Sequence, residues 1–405
     1  MSDLKELLLA ISDHAGVYDV TERAYVLGRR RRTRRRAAYS GATAVFAVTA
    51  LLAAVNLPLD RPAPEPAVTP SPSPSAVALS ACTAAELPTP AGVRPDEFRM
   101  VAGDPTGRIL ASRGKDVKGG DIVAVWTDGV PTAVGKVSDL VVEVTAVSST
   151  GAVVLFGQKL KDGSRGQTQY TALAWVYQDG KVTRLKGDEA FGAAVNAAGT
   201  VVGMVGKNPV TWRDATAEPK RLPVPAGMTA GVPMAIADDG SVVAPLYQGT
   251  NSRLHLWSPD GSRRPLTSPD TIDGAPVVES MVGRVADGWA AGTIVTQKGQ
   301  ARQWYAARWN LGTGAVEWFG GPGRPGPVNP QGWAVFGDTA ALTLVHGDTA
   351  VVVTGLPGYT PGTNRTAMDR PVVSVISPDG RMLAGSQITL ARQVPSHRVL
   401  RWTCR

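Results

Sequence analysis

The sequence predicts an all-β fold for residues 80–405, made of seven similar four-stranded units and preceded by one membrane-spanning helix. Three observations predict it. A turn glycine recurs at spacings of 41 to 48 residues along the 405-residue chain. A tryptophan follows the turn in six of the seven units. An uncharged apolar stretch lies ahead of all the units, at residues 37–59.

Each unit begins with a strand, a tight turn and a second strand rich in β-branched residues. Examples are "SSTGAVVLFG" from Ser148, "NAAGTVVGMV" from Asn196 and "SPDGRMLAGS" from Ser377. Glycine suits the turn because a tight hairpin turn demands a positive φ angle. The seven turn glycines are Gly107, Gly151, Gly199, Gly240, Gly288, Gly332 and Gly380.

A third strand carries the tryptophan, and a fourth ends in leucine, as in "KVTRL" up to Leu185. The tryptophans are Trp126, Trp175, Trp212, Trp257, Trp309 and Trp402, and the sixth unit has "LTLVHGD" instead. A period of roughly 40 to 50 residues made of short strands is typical of a β-propeller, with four strands per blade. The pattern therefore predicts a seven-bladed β-propeller over residues 80–405.

The units resemble the extracytoplasmic TolB and WD40-like propellers, whose blades carry an "SPDG" turn. "SPDGRMLAGS" fits that turn best, and "AVNAAGTVVG" resembles related repeats of secreted bacterial proteins. The resemblance covers residues 80–405 and implies the fold but no single function, because such propellers serve many roles. The richness in Ala, Gly, Pro and Arg is typical of high-GC bacteria, and the layout resembles actinobacterial membrane-anchored propellers.

The apolar stretch from Ala37 to Leu59 has no charged residue, and about 20 such residues span a bilayer as a helix. It follows "RRRRTRRR", and arginines directly before a span hold that side in the cytoplasm. Residues 1–36 carry nine basic and five acidic side chains, half of the chain's net charge of +8. The run therefore indicates a single-pass cell membrane protein with its N-terminus inside. The alternatives are nucleic-acid binding by the arginines and a cleaved signal peptide, although no small-x-small site closes the stretch.

Two segments flank the predicted span. Residues 1–36 form a predicted helical cytoplasmic segment, because "SDLKELLLAISDHAG" has leucines at helical spacing and a second helix is predicted near "DVTERAYVLG". Residues 1–28 would bind a cytoplasmic protein, or lie on the membrane or on each other. Residues 60–79, "DRPAPEPAVTPSPSPSAVAL", are a proline-rich extracytoplasmic linker in an extended conformation.

The seventh unit ends just after Trp402, so its fourth strand must come from elsewhere. "ELPTPAG" at residues 86–92 matches "RLPVPAG" at residues 221–227, which holds the fourth strand of the third unit. Residues 86–90 are therefore predicted to complete blade seven. Cys82 and Cys404, the only two cysteines, would then face each other and form a disulfide, which persists outside the cytoplasm. The alternative is that "LSAC" is a lipobox and Cys82 is lipidated.

The chain has no Gly-x-Ser-x-Gly elbow, no phosphate loop and no His-Glu-x-x-His motif. Its four histidines are scattered, whereas a metal site needs ligands grouped on one face. The sequence therefore predicts no catalytic residue, no cofactor and no metal. Four tryptophans outside the shared position are candidates for stacking on a sugar or peptide, although gap filling between blades is their commoner role. They are Trp289, Trp304, Trp318 and Trp333.

Two classes of function fit these features. The first is a non-enzymatic binding, sensing or protein-interaction module outside the cell, which takes a protein or cell-envelope ligand and no nucleic acid. The second is a cell-surface hydrolase or lyase that acts on glycan or peptide through carboxylates in the central channel. Converging acids or a histidine pair in the channel would favour the second, and a polar channel without them favours the first. We expect the first.

Overall fold

The computed structural model describes residues 79–98, 101–136, 142–161, 169–232, 234–321, 324–337, 342–355, 370–391 and 394–405. All of them belong to one compact unit, Ala78–Arg405. The predicted cytoplasmic segment and membrane helix, and all of the linker except Leu79, lie outside the described residues. Within these ranges, no helix is long and apolar enough to cross a membrane.

The described residues form β-strands and no α-helix. The first strand, β1 (Cys82–Glu86), joins the last sheet. The first sheet contains β2 (Val101–Gly103), β3 (Ile109–Lys115), β4 (Asp121–Thr127) and β5 (Val130–Lys136). The second contains β6 (Val142–Val147), β7 (Val153–Lys161), β8 (Gln169–Gln178) and β9 (Lys181–Arg184). The third contains β10 (Ala190–Val195), β11 (Val201–Val205), β12 (Asn208–Trp212) and β13 (Lys220–Arg221).

The next two sheets have five strands each. The fourth contains β14 (Thr229–Ala230), β15 (Ala235–Ile236), β16 (Val242–Gln248), β17 (Asn251–Trp257) and β18 (Arg263–Pro265). The fifth contains β19 (Thr271–Ile272), β20 (Ala275–Ala286), β21 (Trp289–Lys298), β22 (Ala301–Asn310) and β23 (Val316–Phe319). In these five sheets, neighbouring strands pair antiparallel, which matches the predicted order of strand, turn, strand, tryptophan strand and leucine strand.

The last sheet has eight strands in two antiparallel halves. One half contains β24 (Arg324–Val328), β25 (Ala334–Gly337), β26 (Leu342–His346) and β27 (Thr349–Val353). The other contains β28 (Arg370–Ile376), β29 (Met382–Ala391), β30 (Val394–Cys404) and then β1. A single parallel pair, Cys82 with Val353, joins the halves.

The innermost strands of the sheets form a closed ring. We call β2, β6, β10, β15, β20, β24 and β28 the inner strands. Each contacts the next in this order, and β28 contacts β2. The hydrophobic core lies between neighbouring sheets, and at the closing seam Leu110 and Trp126 cluster with Val375. Antiparallel sheets packed in chain order around a central channel are the architecture of a β-propeller, as the repeats predict.

The seven predicted turn glycines all adopt a positive φ, between 73° and 93°. In six turns the glycine N–H donates to the carbonyl three residues earlier, as Gly199 does to Asn196. The fifth turn differs because Asp287 and Gly288 both have positive φ and connect Ala286 directly to Trp289. It is therefore a two-residue hairpin turn, shorter than the others.

Most inner strands carry a β-bulge near their C-terminal end. In β6, β10, β20 and β28 the bulge leaves one residue out of the pairing: Thr145, Ala193, Gly283 and Ser374. A backbone oxygen of the bulged strand then approaches the second strand so closely that only glycine fits. A Cβ on Gly203, Gly292 or Gly385 would lie 1.9 to 2.0 Å from the carbonyl oxygen of Phe191, Met281 or Val372.

The shared tryptophans tie neighbouring sheets together. Five indoles donate to a carbonyl in the segment that leads out of the preceding sheet or, for Trp402, out of the first half of the last sheet: Trp126 to Pro88, Trp212 to Lys186, Trp257 to Pro223, Trp309 to Thr267 and Trp402 to Thr354. The distances run from 2.6 to 3.0 Å. Pro88 follows β1, so β1 acts as the outer strand of the sheet that precedes the first.

The borrowed strand starts and ends earlier than predicted. The prediction was residues 86–90, whereas β1 spans Cys82–Glu86. The sequence match itself is correct, because Leu87 N donates to Val399 O at 2.9 Å as Leu222 N donates to Pro209 O at 2.9 Å. The match located the end of the strand, and the pairing of β1 with β30 extends it back to Cys82.

Candidate functional site

The two cysteines lie opposite each other in the ladder between β1 and β30. Both are buried, and they form a disulfide across 322 residues of sequence. Thr354 Oγ1 donates to the carbonyl of Cys82 at 2.9 Å, which ties the same strand to the segment after β27. The covalent bond and this ladder together fix the N-terminal strand to the C-terminal one and close the ring.

The four additional tryptophans do not converge on one site. Trp333 is only 4% exposed and stacks on His346, with ring centroids 4.6 Å apart. The Arg308 guanidinium lies 4.5 Å from the centre of the Trp289 ring. Trp304 is half-buried on the same strand as Arg308.

Trp318 is the most exposed of the four, at 42%. It lies on the outer strand β23 and pairs with Ala307. Side chains alternate between the two faces of a strand, so Ala307 and Trp318 lie on the opposite face of the sheet from Trp304 and Arg308. Trp289 pairs with Asn310, on the face of Trp304, so Trp318 lies on the opposite face from both Trp289 and Trp304.

The described histidines and acidic residues are also dispersed. No three His, Cys, Asp or Glu side chains among the described residues are close enough together to hold a metal ion. His255 Nδ1 lies 2.6 Å from Arg263 Nη1, far from the stacked His346 in sequence and sheet. On the inner strands, Glu143 pairs with Arg113 at 2.7 Å and Glu279 with Arg302 at 3.7 Å.

One cationic side chain crosses the inside of the ring. Arg284 is on β20, directly after the bulge at Gly283. Its Nη2 donates to Gly103 O at 3.3 Å, and its Nη1 donates to Ile376 O at 3.4 Å and to Pro105 O at 3.5 Å. The inner strands next to β20 are β15 and β24, whereas these carbonyls belong to β2, its turn and β28. The guanidinium therefore reaches the far wall of the channel, at the end where those inner strands stop.

The environment of Arg284 is costly for a cation. Arg284 is half-buried, and burial lowers the pKa of Arg284, while the charge of Asp104 acts in the opposite direction. The three hydrogen bonds are at the long end of the range, and no carboxylate of the described residues lies within ion-pair distance of it. Asp104 is itself engaged by its own turn, since it accepts from Ile109 N at 2.8 Å and Thr106 Oγ1 at 2.5 Å. A charge kept in such a place without an ion-pair partner is a candidate ligand-binding group.

Arg284 was missed in the sequence, although a signal for it exists. When the units are aligned on their turn glycines, the residue four positions earlier is Gly, Val or Ile in six units and arginine in the fifth. In the structure, the equivalent places directly after the bulge in β6 and β10 are Ala146 and Ala194. Arg284 is thus a charged residue in an otherwise apolar column.

No protein-family model matches the sequence, and a search among curated proteins gives no significant match. Similarity is found only with solved structures. TolB from Acinetobacter baumannii is 12% identical, with 76% of this chain and 80% of that chain covered and a TM-score of 0.37. The β-propeller domain of the trilobed protease from Pyrococcus furiosus, described as having an open velcro topology, is 10% identical, with a TM-score of 0.37.

That second alignment covers 52% of this chain, and this chain spans 64% of the length of the protease domain. An oligogalacturonate lyase in complex with manganese is 11% identical, with 81% of this chain and 97% of that chain covered and a TM-score of 0.37. Identities and scores this low transfer no activity, substrate or metal to this chain.

Proposed function

We propose that the protein is a membrane-anchored binding or sensing module displayed outside the cytoplasm. In this proposal, residues 1–36 are cytoplasmic, residues 37–59 span the membrane and residues 60–79 are a stiff linker that carries the propeller. The buried Cys82–Cys404 disulfide supports this location, because disulfides persist in oxidising compartments. The arginine run before the apolar stretch supports the orientation.

We further propose that the propeller has seven blades. The eight-stranded sheet counts as two blades, because its halves are joined only through the single parallel pair of Cys82 with Val353. Each half has its own inner strand, β24 or β28, in the ring. Seven blades, five of four strands and two of five, then match the seven turn glycines.

The binding function is supported by which charged groups inside the ring have an ionic or hydrogen-bonding partner. Glu143 and Glu279 are each neutralised by an arginine, and Asp104 is held by its turn. Arg284 alone among these groups lacks an ionic partner in the described residues. A channel of this kind favours ligand binding over hydrolase or lyase chemistry, which needs converging acids or bases.

The location is tested by labelling intact cells that express the full chain with a membrane-impermeant amine reagent. Lys118 and Lys298 are exposed on the propeller. The proposal expects both to be modified in intact cells, and Lys5 to be modified only after lysis. Modification of Lys5 in intact cells, with the propeller lysines protected, would reverse the topology.

The binding function is tested by incubating the purified full chain with cell-wall material from the producing cells. The expected result is retention of the chain on the material with no new reducing ends, unsaturated sugars or free amines released. Release of any of these products in proportion to the added protein would favour the hydrolase or lyase.

A further inference from the structure

The hydrogen bonds of Arg284 leave one edge of its guanidinium unused. A guanidinium has five N–H groups in a planar fork. Nη1 uses both of its donors, on Pro105 O and Ile376 O, and Nη2 uses one, on Gly103 O. The Nε–H and the second N–H of Nη2 have no acceptor among the described residues. Nε and Nη2 share one edge of the planar guanidinium, and N–H groups on that edge are spaced to match the two oxygens of a carboxylate.

The three carbonyl contacts fix the orientation of that edge. They come from β2, its turn and β28, which lie across the ring from β20. A guanidinium bonded on its other side to three backbone oxygens keeps its plane when a ligand arrives, so little conformational entropy is lost on binding.

The surroundings provide solvent access and a charge preference. Arg284 is half-buried, so part of its side chain stays open to solvent. Asp104 contributes a nearby negative charge that is engaged by its own turn. One positive and one negative charge already in place favour a monoanion over a doubly charged phosphate.

We propose that the free edge of Arg284 binds the carboxylate of a small ligand that enters the central channel. The inference rests on the proposed binding function and names the chemical class of its ligand. The carboxylate belongs either to a free small acid or to the C-terminus of a short peptide, and the two sources share the same two-point recognition.

The test is a titration of the full chain with acetate, observed through the ¹⁵N–¹H signal of the Arg284 Nε group. Acetamide, which has a similar shape and no charge, is the matched ligand control. N-acetyl-alanyl-alanine and its C-terminal amide form the peptide arm. Acetate at constant ionic strength should shift the Nε signal in a saturable way, and acetamide should not. A stronger response to the peptide acid than to its amide and to acetate would identify the peptide source.

Two variants complete the test. Arg284→Lys keeps the charge but loses the planar fork, so affinity for the carboxylate should fall about tenfold or more. Arg264→Lys is the control, because Arg264 also donates to backbone carbonyls, those of Leu311 and Gly312, but from the outer strand β18. It should bind acetate like the wild type.

The proposal is overturned if the wild-type Nε signal does not respond to acetate up to ~100 mM, or if acetamide shifts it equally. The wild-type titration decides the matter even if Arg284→Lys fails to fold. Retention on cell-wall material without an effect of Arg284→Lys would overturn this proposal alone. Loss of retention by the wild type would overturn the binding function itself.

Discussion

Acidification should destabilise the propeller through His255. This residue is on β17, is 6% exposed, and its Nδ1 lies 2.6 Å from Nη1 of Arg263 on β18. Burial first, and the charge of Arg263 second, lower the pKa of His255 from 6.5 to about 4. The imidazole is therefore neutral in the folded protein at pH values where it is protonated in the unfolded chain.

The sign and size of the effect follow from proton linkage. Between pH 6.5 and about pH 4 the unfolded chain binds one more proton at His255 than the folded chain does. The stabilisation that His255 contributes by staying neutral in the folded protein is fully present above pH 6.5. It is lost as the pH falls from 6.5 through the folded-state pKa of about 4. At about 1.36 kcal/mol per pKa unit, the loss amounts to about 3 kcal/mol.

The assay is urea unfolding of the full chain at about pH 7.5 and about pH 4. His255→Asn keeps an acceptor for Arg263 and does not titrate in this range, so it removes this contribution. The wild type should lose about 3 kcal/mol more than this variant over the interval. Arg263→Gln removes the second cause of the pKa shift and should give an intermediate loss. Equal pH dependence in the wild type and in His255→Asn would refute the reasoning.

Three further predictions concern the closure of the ring and its packing, all measured by urea unfolding at neutral pH. Replacing Cys82 and Cys404 together by alanine removes a cross-link over 322 residues. The loop-entropy model gives a loss of about 5 kcal/mol in the free energy of unfolding as an upper figure, and a loss below about 1 kcal/mol would contradict the closing role. Trp126→Phe and Trp257→Phe each remove one indole hydrogen bond to an equivalent proline carbonyl, so each should lower the free energy of unfolding by about 2 kcal/mol. A large loss at Trp257 and none at Trp126 would mean that β1 does not act as an outer strand. Gly203→Ala places a Cβ 1.9 Å from a backbone oxygen and should cost on the order of 3 kcal/mol; a neutral effect would show that the bulge relaxes freely.

The repeated features of the fold could be predicted because each one has a local cause that recurs. The turn glycines recur because each turn needs a positive φ angle. The tryptophans recur because their indoles donate a hydrogen bond to the preceding sheet, as Trp212 does to Lys186 O. The match of "ELPTPAG" to "RLPVPAG" located the closing strand because Leu87 and Leu222 make the same backbone hydrogen bond. The start of β1 could not be predicted, because it depends on pairing with β30, more than 300 residues away in sequence.

The candidate site could not be predicted for a related reason. Arg284 is a candidate because it donates to three backbone carbonyls from other sheets. Every residue has a backbone carbonyl, so a sequence does not show which carbonyls a side chain will contact. The shorter fifth turn also shifts the alignment of its unit by one residue. Trp318 and Trp333 look alike in sequence, but Trp318 lies on the exposed outer strand β23, whereas Trp333 is buried in a turn where its N–H donates to Asn329 Oδ1.

The ring closure is tested most directly by peptide mapping of the full chain taken from intact cells, with free thiols blocked before lysis and no reductant added. The account predicts one cross-linked peptide pair that joins Cys82 to Cys404, and no blocked cysteine. Two blocked thiols, or a lipid on Cys82, would contradict both the closing disulfide and the extracytoplasmic location proposed from it.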